Sequence, residues 1–498
     1  MLYKLLDFNQ EAFALKIPTP RNLRPYNQDQ MQLFPPSVQS LIEADDLCMV
    51  VNDVVKALDL SCLYKKVASE GNPAYHPAMM LKIYFYAYAR GIFSSRRIAQ
   101  ALKENIAFIF LAAWQKPNFR TISDFRKKNL KELGLLFAQI VQLCRQLGMV
   151  KLGHIAIDGT KIKANASEAS TYDRERIEKE IKRWLETAEA IDQQEDALYG
   201  ADKTGDELPE EIRDPEKRIK KLKELKKKLD AEGGQKINKT DPDAVFMKTT
   251  HGIKTAYNAQ VAVDAEQQVI VAADVTNDAS DVDQLLPMVE QTEKNTSEKV
   301  NELSADSGYS SGENLKAMAT GEIDAYIPDR DYQSYQRGKT PGDFDKESFV
   351  YDPRRDCYIC VEGEELHFSH LQKRKKKEPL RIYRGKSCQA CRYFGLCTTS
   401  RNGRSISRHP YEKELRQMRR KLDSELGKAI YGKRKYSVEP PFGHIKSIMG
   451  FTCFQLRGKQ KVTAEFKLVS IAHNLRKIWF YLKSNGNKLA DMCPAAGC

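Results

Sequence analysis

The stretch HIAIDGTKIKA at residues 154–164 decides the fold, because its apolar run meets a turn at an acid, Asp158, as a buried strand does. Four further segments have strand character, and they are TAYNAQVAVD (255–264), QVIVAADVT (268–276), VNELSAD (300–306) and DAYIPD (324–329). Residues 281–289, between the third and fourth strands, predict a helix capped by Asp281. A second acid, Asp306, ends the fourth strand.

The order of these elements is strand, strand, strand, helix, strand, helix, strand, helix. This is the order of the RNase H-like, or retroviral-integrase-like, α/β fold. The first and fourth strands are neighbours in that fold. We therefore expect Asp158 and Asp306 to project side by side at one edge of the sheet.

Length and charge limit the function. A chain of 498 residues is too long for one ordinary core and predicts two to four domains. The net charge of +13 favours a polyanionic partner such as DNA. No run of about 18 apolar residues and no signal-peptide segment is present, so we expect no membrane partner and a cytoplasmic protein, associated with the nucleoid when on DNA.

The chain divides into segments of different character. Residues 1–35 predict an arm, and residues 36–150 predict an all-helical domain that binds DNA ends. The α/β core is expected in three pieces, 151–165, 241–329 and 426–483, followed by a tail, 484–498. Two insertions interrupt this core. Residues 166–240 are rich in Glu and Lys and carry two apolar stripes, which predicts a helical hairpin.

The second insertion, residues 330–425, contains five of the eleven cysteines in a pattern similar to a zinc ribbon. A tetrahedral site takes four thiolates, which leaves two sets open. One set is Cys360, Cys388, Cys391 and Cys397, and the other is Cys357, Cys360, Cys388 and Cys391. Reduced, metal-free cysteines fit the sequence equally well.

The stretch YGKRKYSVEPPFGHIK at residues 431–446 places Glu439 among several cations. A carboxylate beside a phosphate is repelled unless it holds a metal, so this arrangement indicates metal-assisted chemistry on a phosphodiester. Three carboxylates, Asp158, Asp306 and Glu439, would hold two hard ions, Mg²⁺ or Mn²⁺. Lys446 follows Glu439 by about two helical turns, which predicts one shared helix face if Pro440 and Pro441 lie in a first turn. The chain has no P-loop and no HExxH pair.

The block around Glu439 resembles the tyrosine–arginine–glutamate–lysine signature of bacterial insertion-sequence DDE transposases. The similarity is strongest in VEPPFGHIK (438–446), GF (450–451) and LRG (456–458). TISDFR (121–126), DGTK (158–161) and ADSGY (305–309) are similar to other parts of the same family. One departure concerns the arginine. The family residue lies four positions before the glutamate, where this chain has Lys435, whereas Arg434 has the family spacing from the tyrosine.

The resemblance implies that Asp158, Asp306 and Glu439 bind the catalytic metal ions. It also implies a second set of residues that contact DNA, namely Tyr431, Arg434 or Lys435, Lys446 and Arg457. The function predicted is a transposase that binds terminal inverted repeats, frees a 3′-OH at the element end and joins it to target DNA. Two ends must be held together, so we expect a homodimer on DNA. The alternatives are an RNase H-like nuclease without strand transfer and a non-catalytic DNA-binding regulator.

Overall fold

The structure is a computed structural model, and it describes residues 37–67, 70, 73–199, 210–249, 252–330, 332–333, 342–374, 377–486 and 489. The side chains of residues 187–199, 210–216, 232 and 377 are also left undescribed. The predicted arm, most of the predicted tail and the joint of the predicted helical hairpin lie outside the described residues. None of the helices in these ranges combines the length and the apolar character needed to cross a membrane.

The principal sheet has six strands. They are β1 (Ile155–Lys163), β4 (Val245–Thr249), β5 (Gly252–Asp264), β6 (Ile270–Thr276), β7 (Glu302–Ala305) and β8 (Asp324–Tyr326), while β2 (Thr171–Asp173) and β3 (Lys236–Asn238) pair separately. The order across the sheet is β6, β5, β1, β7, β8, with β4 pairing the first half of β5. The strand β1 is antiparallel to β5 and parallel to β7, and β7 is parallel to β8. This order confirms the predicted RNase H-like core.

The N-terminal part is helical, as predicted. Its helices are α1 (Leu47–Ala57), α2 (Ser61–Tyr64), α3 (Pro77–Ala89), α4 (Ser95–Glu104), α5 (Ile106–Leu111), α6 (Phe119–Lys128) and α7 (Leu130–Gln146). The helix α3 starts at a proline, which is favoured in a first turn because its missing N–H would have no helical partner there. Eleven of the thirteen residues of α3 are buried, so this helix is the centre of the N-terminal layer.

The remaining helices flank the sheets. They are α8 (Arg174–Tyr199), α9 (Glu210–Glu232), α10 (Leu285–Thr296), α11 (Gly312–Thr320), α12 (Glu412–Asp423), α13 (Glu425–Gly443) and α14 (Lys459–Asn485). The helix α14 packs against α1, α3 and α7 on one side and against β6 on the other. Its buried residues therefore join the N-terminal helices and the principal sheet in one hydrophobic cluster.

A buried ion pair lies inside this junction. A guanidinium nitrogen of Arg126, on α6, is 3.5 Å from a carboxylate oxygen of Glu465, on α14. The same guanidinium nitrogen donates to the Tyr88 hydroxyl at 2.5 Å, and the backbone N–H groups of Gln455 and Leu456 donate to the second carboxylate oxygen of Glu465. Burial raises the pKa of Glu465, and Arg126 opposes this rise. The pair links the N-terminal helices to the core.

The two charged helices α8 and α9 pack against each other, and β2 and β3 pair at their base. The predicted apolar stripes meet there, since Ile177 of α8 clusters with Leu222, Leu225 and Leu229 of α9. This stacking removes the stripes from water and explains why the two helices lie together.

A second sheet lies between β8 and α12. Its strands are β9 (Val350–Asp352), β10 (Cys357–Ile359), β11 (Glu365–Arg374), β12 (Lys377–Gly385) and β13 (Ser405–Arg408). Consecutive strands pair antiparallel throughout, so this sheet is a meander. Its core is small, with five fully buried apolar side chains, namely Phe349, Tyr358, Leu366, Tyr383 and Ile406.

Candidate active site at the ends of the first and fourth core strands

The register of two parallel strands brings Asp158 and Asp306 together. The last paired residues of β1 and β7 are Ile157 and Ala305, and each acid follows its paired residue by one position. Asp306 begins a short 3₁₀ turn, and its carboxylate accepts the backbone N–H of Gly308 at 2.7 Å. The structure thus places the two predicted acids at one edge of the sheet, as expected from the strand order.

Asp158 is largely buried, and its closest counter-charge is Arg434 on α13. A guanidinium nitrogen of Arg434 lies 3.0 Å from a carboxylate oxygen of Asp158, and the two side chains are 12% and 18% exposed. Burial raises the pKa of Asp158 to about 6, Arg434 opposes this rise, and the charges of Asp306 and Asp281 add to it. Burial and the two neighbouring carboxylates thus outweigh the effect of Arg434 on the pKa of Asp158.

A third carboxylate, Asp281, belongs to this cluster, and the sequence did not indicate it. We expected Asp281 to cap the helix that follows, but its side chain makes no capping hydrogen bond. It instead accepts from Lys161 at 3.1 Å, from the Asn258 amide at 2.6 Å and from the Gln260 amide at 2.8 Å. The signal available in the sequence was the polar pair Asn258 and Gln260 inside an otherwise apolar strand, since such residues need a buried partner.

Gly159, between Asp158 and Thr160, allows this close approach. A Cβ atom at Gly159 would lie 2.9 Å from a carboxylate oxygen of Asp281 and would overlap the Gln260 amide. Glycine, which has no Cβ atom, is therefore the residue that leaves room for the cluster. The Tyr309 hydroxyl closes the far side by donating to the Gln260 amide oxygen.

Two further residues of the predicted signature reach the same cluster. The Lys446 ammonium donates to the Thr160 hydroxyl at 2.5 Å, and burial lowers the pKa of Lys446 while the charge of Asp158 opposes the change. Tyr431 is half-buried, and burial raises its pKa, with the charges of Asp306 and Asp158 adding to the rise and Arg434 opposing it. Cations and an aromatic hydroxyl thus surround the acids.

The placement of Glu439 differs from the expectation. Glu439 lies near the end of α13 rather than near a helix start, and Pro440 and Pro441 are inside that helix. Proline at position 440 cannot donate to the carbonyl of Tyr436, but the Gln268 amide donates to that oxygen at 2.8 Å. This external donor explains how the helix tolerates a proline there.

The expectation that Glu439 and Lys446 share one helix face is also wrong. Residues His444–Ile448 form a π-helix, so the spacing of two regular turns does not apply between the two side chains. Lys446 contacts Thr160, whereas Glu439 is exposed to solvent and has no hydrogen-bond or ion-pair partner among the described residues. The structure therefore brings Asp158 and Asp306 together but leaves the third predicted acid in solvent.

Arg434 and Lys435, the two candidates for the arginine of the signature, lie in different environments. Arg434 pairs with Asp158, whereas its neighbour Lys435 is exposed to solvent. Arg457 lies elsewhere, because its guanidinium donates to the backbone carbonyl of Asn165 at 2.8 Å and lines a cavity with Lys163 and Asn165. Of the predicted DNA-contacting residues, Tyr431, Arg434 and Lys446 lie at the acidic cluster.

Two family models match separate parts of the chain. The model described as a transposase DDE domain matches residues 359–479, which include Arg434, Glu439 and Lys446. The model described as a transposase domain (DUF772) matches residues 36–128, in the helical N-terminal part. Both matches support an insertion-sequence DDE transposase. No curated protein and no solved structure matched the chain.

The acidic cluster suits a hard divalent cation, which DDE transposase domains typically use. Its donors are carboxylate and amide oxygens, and the Asn258 amide oxygen is buried without a hydrogen-bond partner. Burial raises the pKa of Asp158, and the charges of Asp306 and Asp281 add to this rise. The described residues nevertheless contain no three His, Cys, Asp or Glu side chains arranged to hold a metal ion. In this arrangement Asp158 and Asp306 could supply only part of a metal site, because Glu439 is exposed to solvent.

Proposed function

We propose that this chain is a DNA transposase that binds the terminal inverted repeats of its element, cleaves the phosphodiester at each end and joins the freed 3′-OH to target DNA. The observation that carries this proposal is the adjacency of Asp158 and Asp306 beside Arg434 and Lys446. Two acids and two cations at one sheet edge match what phosphodiester cleavage needs, namely metal ligands together with phosphate contacts.

In the first step, water attacks the phosphorus at the element end. A new P–O bond forms, the bond from phosphorus to the 3′ oxygen breaks, and the 3′ oxygen leaves as a hydroxyl. In the second step, this 3′-OH attacks a target phosphorus, and the target's own 3′ oxygen leaves. Bound divalent ions would activate the attacking oxygen and stabilise the leaving oxygen.

The residues of this chain have distinct parts in the proposal. Asp158 and Asp306 would hold the ions, with Glu439 joining them when α13 is engaged by DNA. Lys446, fixed by the Thr160 hydroxyl, would bind the phosphate of the strand being cut. Arg434 would leave Asp158 for a DNA phosphate, since an oxyanion forms the same charge-assisted hydrogen bonds as the carboxylate it now contacts.

Joining requires two ends at once, so the proposed active form is a homodimer on DNA. The basic net charge of the chain favours DNA as a partner, because it attracts the polyanion at long range. A nuclease without strand transfer and a non-catalytic regulator remain the competing functions, and a single set of assays distinguishes all three.

The test uses purified full-length protein, DNA that carries the sequences flanking the coding region, and Mg²⁺. We expect nicked ends and joined product from the unmodified chain. Asp158→Ala, Asp306→Ala and Glu439→Ala should each abolish nicking while leaving end binding within about twofold. Glu425→Ala, which removes an exposed acid from the first turn of the same helix as Glu439, is the matched control and should retain nicking.

Three outcomes would contradict the proposal. Nicking without joined product would indicate the nuclease, and end binding without nicking in the unmodified chain would indicate the regulator. Retained nicking in any one of the three alanine variants would remove that residue from the proposed triad.

A further inference from the structure

Four cysteines of the second sheet line one small cavity. They are Cys360, after β10, and Cys388, Cys391 and Cys397, in the connection between β12 and β13. All four are free thiols, as is every cysteine within the described residues. The turn after β10 and the connection after β12 are far apart in sequence, so the fold itself brings these sulfur atoms to one place.

Backbone N–H groups point at two of these sulfur atoms. The backbone N–H of Arg404 donates to the Cys388 sulfur at 3.3 Å, and the backbone N–H of Tyr393 donates to the Cys391 sulfur at 3.5 Å. A backbone N–H that points at sulfur stabilises the thiolate, which is the form that binds metals. The Cys391 N–H also donates to the Cys388 carbonyl, which closes the turn between the two thiols.

The fifth cysteine of this region, Cys357, lies outside the cavity that the other four line. Cys357 lies within β10, is fully buried, and pairs with Asp352 on β9 and His367 on β11. It does not line the cavity of the other four. Of the two sets of four thiols that the sequence left open, the structure therefore favours the one without Cys357.

This region also needs stabilisation beyond its apolar core. The apolar cluster of the second sheet contains five buried side chains among the described residues, and the connection at residues 386–404 contains turns and one short 3₁₀ segment. Small domains with so little buried apolar surface usually depend on a metal or on disulfides for stability. A metal that joins the turn after β10 to this connection would supply the missing cross-link.

We propose that Cys360, Cys388, Cys391 and Cys397 bind one structural zinc ion that fixes the connection between β12 and β13. Four thiolates and no open position are the ligand set of a closed, tetrahedral zinc site. Within the described ranges no three metal-binding side chains lie close enough together to hold an ion, so the proposal requires the four sulfur atoms to move closer together when zinc binds. The site is separate from the acidic cluster and does not depend on the proposed function.

The first experiment measures zinc per chain by elemental analysis in full-length protein purified from zinc-supplemented cells. We expect about one zinc in the unmodified chain, a loss of most of it in Cys388→Ala and Cys397→Ala, and about one in Cys357→Ala. The Cys357→Ala and Cys397→Ala variants together discriminate between the two sets of thiols. A chain purified without zinc, or retention in Cys397→Ala together with loss in Cys357→Ala, would overturn the assignment.

A second measurement covers the case in which a cysteine variant fails to fold. The unmodified chain is expressed in cobalt-containing medium, and its absorption spectrum is recorded. Tetrahedral thiolate ligation should give sulfur-to-cobalt charge-transfer bands together with intense visible bands, whereas octahedral oxygen ligation gives only weak visible bands. Weak bands alone would overturn the proposal. Neither result bears on nicking or joining, so this inference and the proposed function can fail separately.

Discussion

The buried pair of Arg126 and Glu465 offers a test of how the N-terminal helices are joined to the core. Arg126→Met removes the positive partner and leaves a carboxylate that is fully buried. Removing one partner of a buried ion pair typically costs about 3–5 kcal/mol, because the remaining charge has lost its compensation. For a cooperative unit of this size, such a loss should lower the melting temperature by on the order of 10 °C.

The pH dependence of this effect has a definite sign. Burial already raises the pKa of Glu465, and loss of Arg126 raises it further, because Arg126 opposes that rise. The folded chain then binds a proton at Glu465 more tightly than the unfolded chain does. The free energy of unfolding of Arg126→Met should therefore be lowest near pH 8 and should recover as the pH falls towards the raised pKa of Glu465.

The assay is thermal unfolding followed by circular dichroism at pH 8 and pH 6. Lys127→Met is the matched control, because Lys127 is the next residue on the same helix and forms only an exposed pair with Asp124. The double variant Arg126→Met with Glu465→Met should recover most of the lost stability, since an apolar pair can replace a buried ion pair. If Arg126→Met melts no lower than Lys127→Met, the pair does not hold the junction together.

Two further predictions concern the acidic cluster. Arg434→Gln should raise the pKa of Asp158 above about 6 and reduce nicking at pH 7 by at least about tenfold, with partial recovery of nicking at pH 9. The control variant Lys435→Gln should nick within about twofold of the unmodified chain. Equal nicking rates in the two variants across the pH range would contradict the placement of Arg434. Gly159→Ala should abolish nicking while the melting temperature falls by only a few degrees, because the new methyl group displaces the Gln260 amide. Normal nicking in this variant would show that the acidic cluster tolerates the displacement of that amide.

The sequence determined the core sheet and the meeting of its two acids. Alternating and continuous apolar runs identified five of the six described strands of the principal sheet but missed β4, and the order of those five indicated that β1 and β7 are neighbours. Asp158 and Asp306 each follow the last paired residue, so strand register alone brings them together. These features depend on short stretches of chain whose hydrophobic pattern is local, and local patterns can be recognised in sequence.

The tertiary structure decided which side chains of α13 face that sheet. The burial of Ile430, Val438 and Phe442 sets the rotation of the helix about its axis, and this rotation directs Arg434 to Asp158 and leaves its neighbour exposed. Adjacent helical residues point about 100° apart, so spacing within the signature could not distinguish them. The rotation depends on packing between elements that are distant in sequence.

The same physical reason accounts for the other features that the sequence left open. Asp281 joins the acidic cluster because β5 carries two amides that reach it, and four of the five clustered thiols share a cavity because β10 turns beside the connection after β12. Pro440 is tolerated late in α13 because a side chain from the loop before β6 supplies the missing hydrogen bond. The sequence by itself thus determined the strands and the two acids at their ends, while contacts between distant segments decided which arginine, which third acid and which cysteines meet.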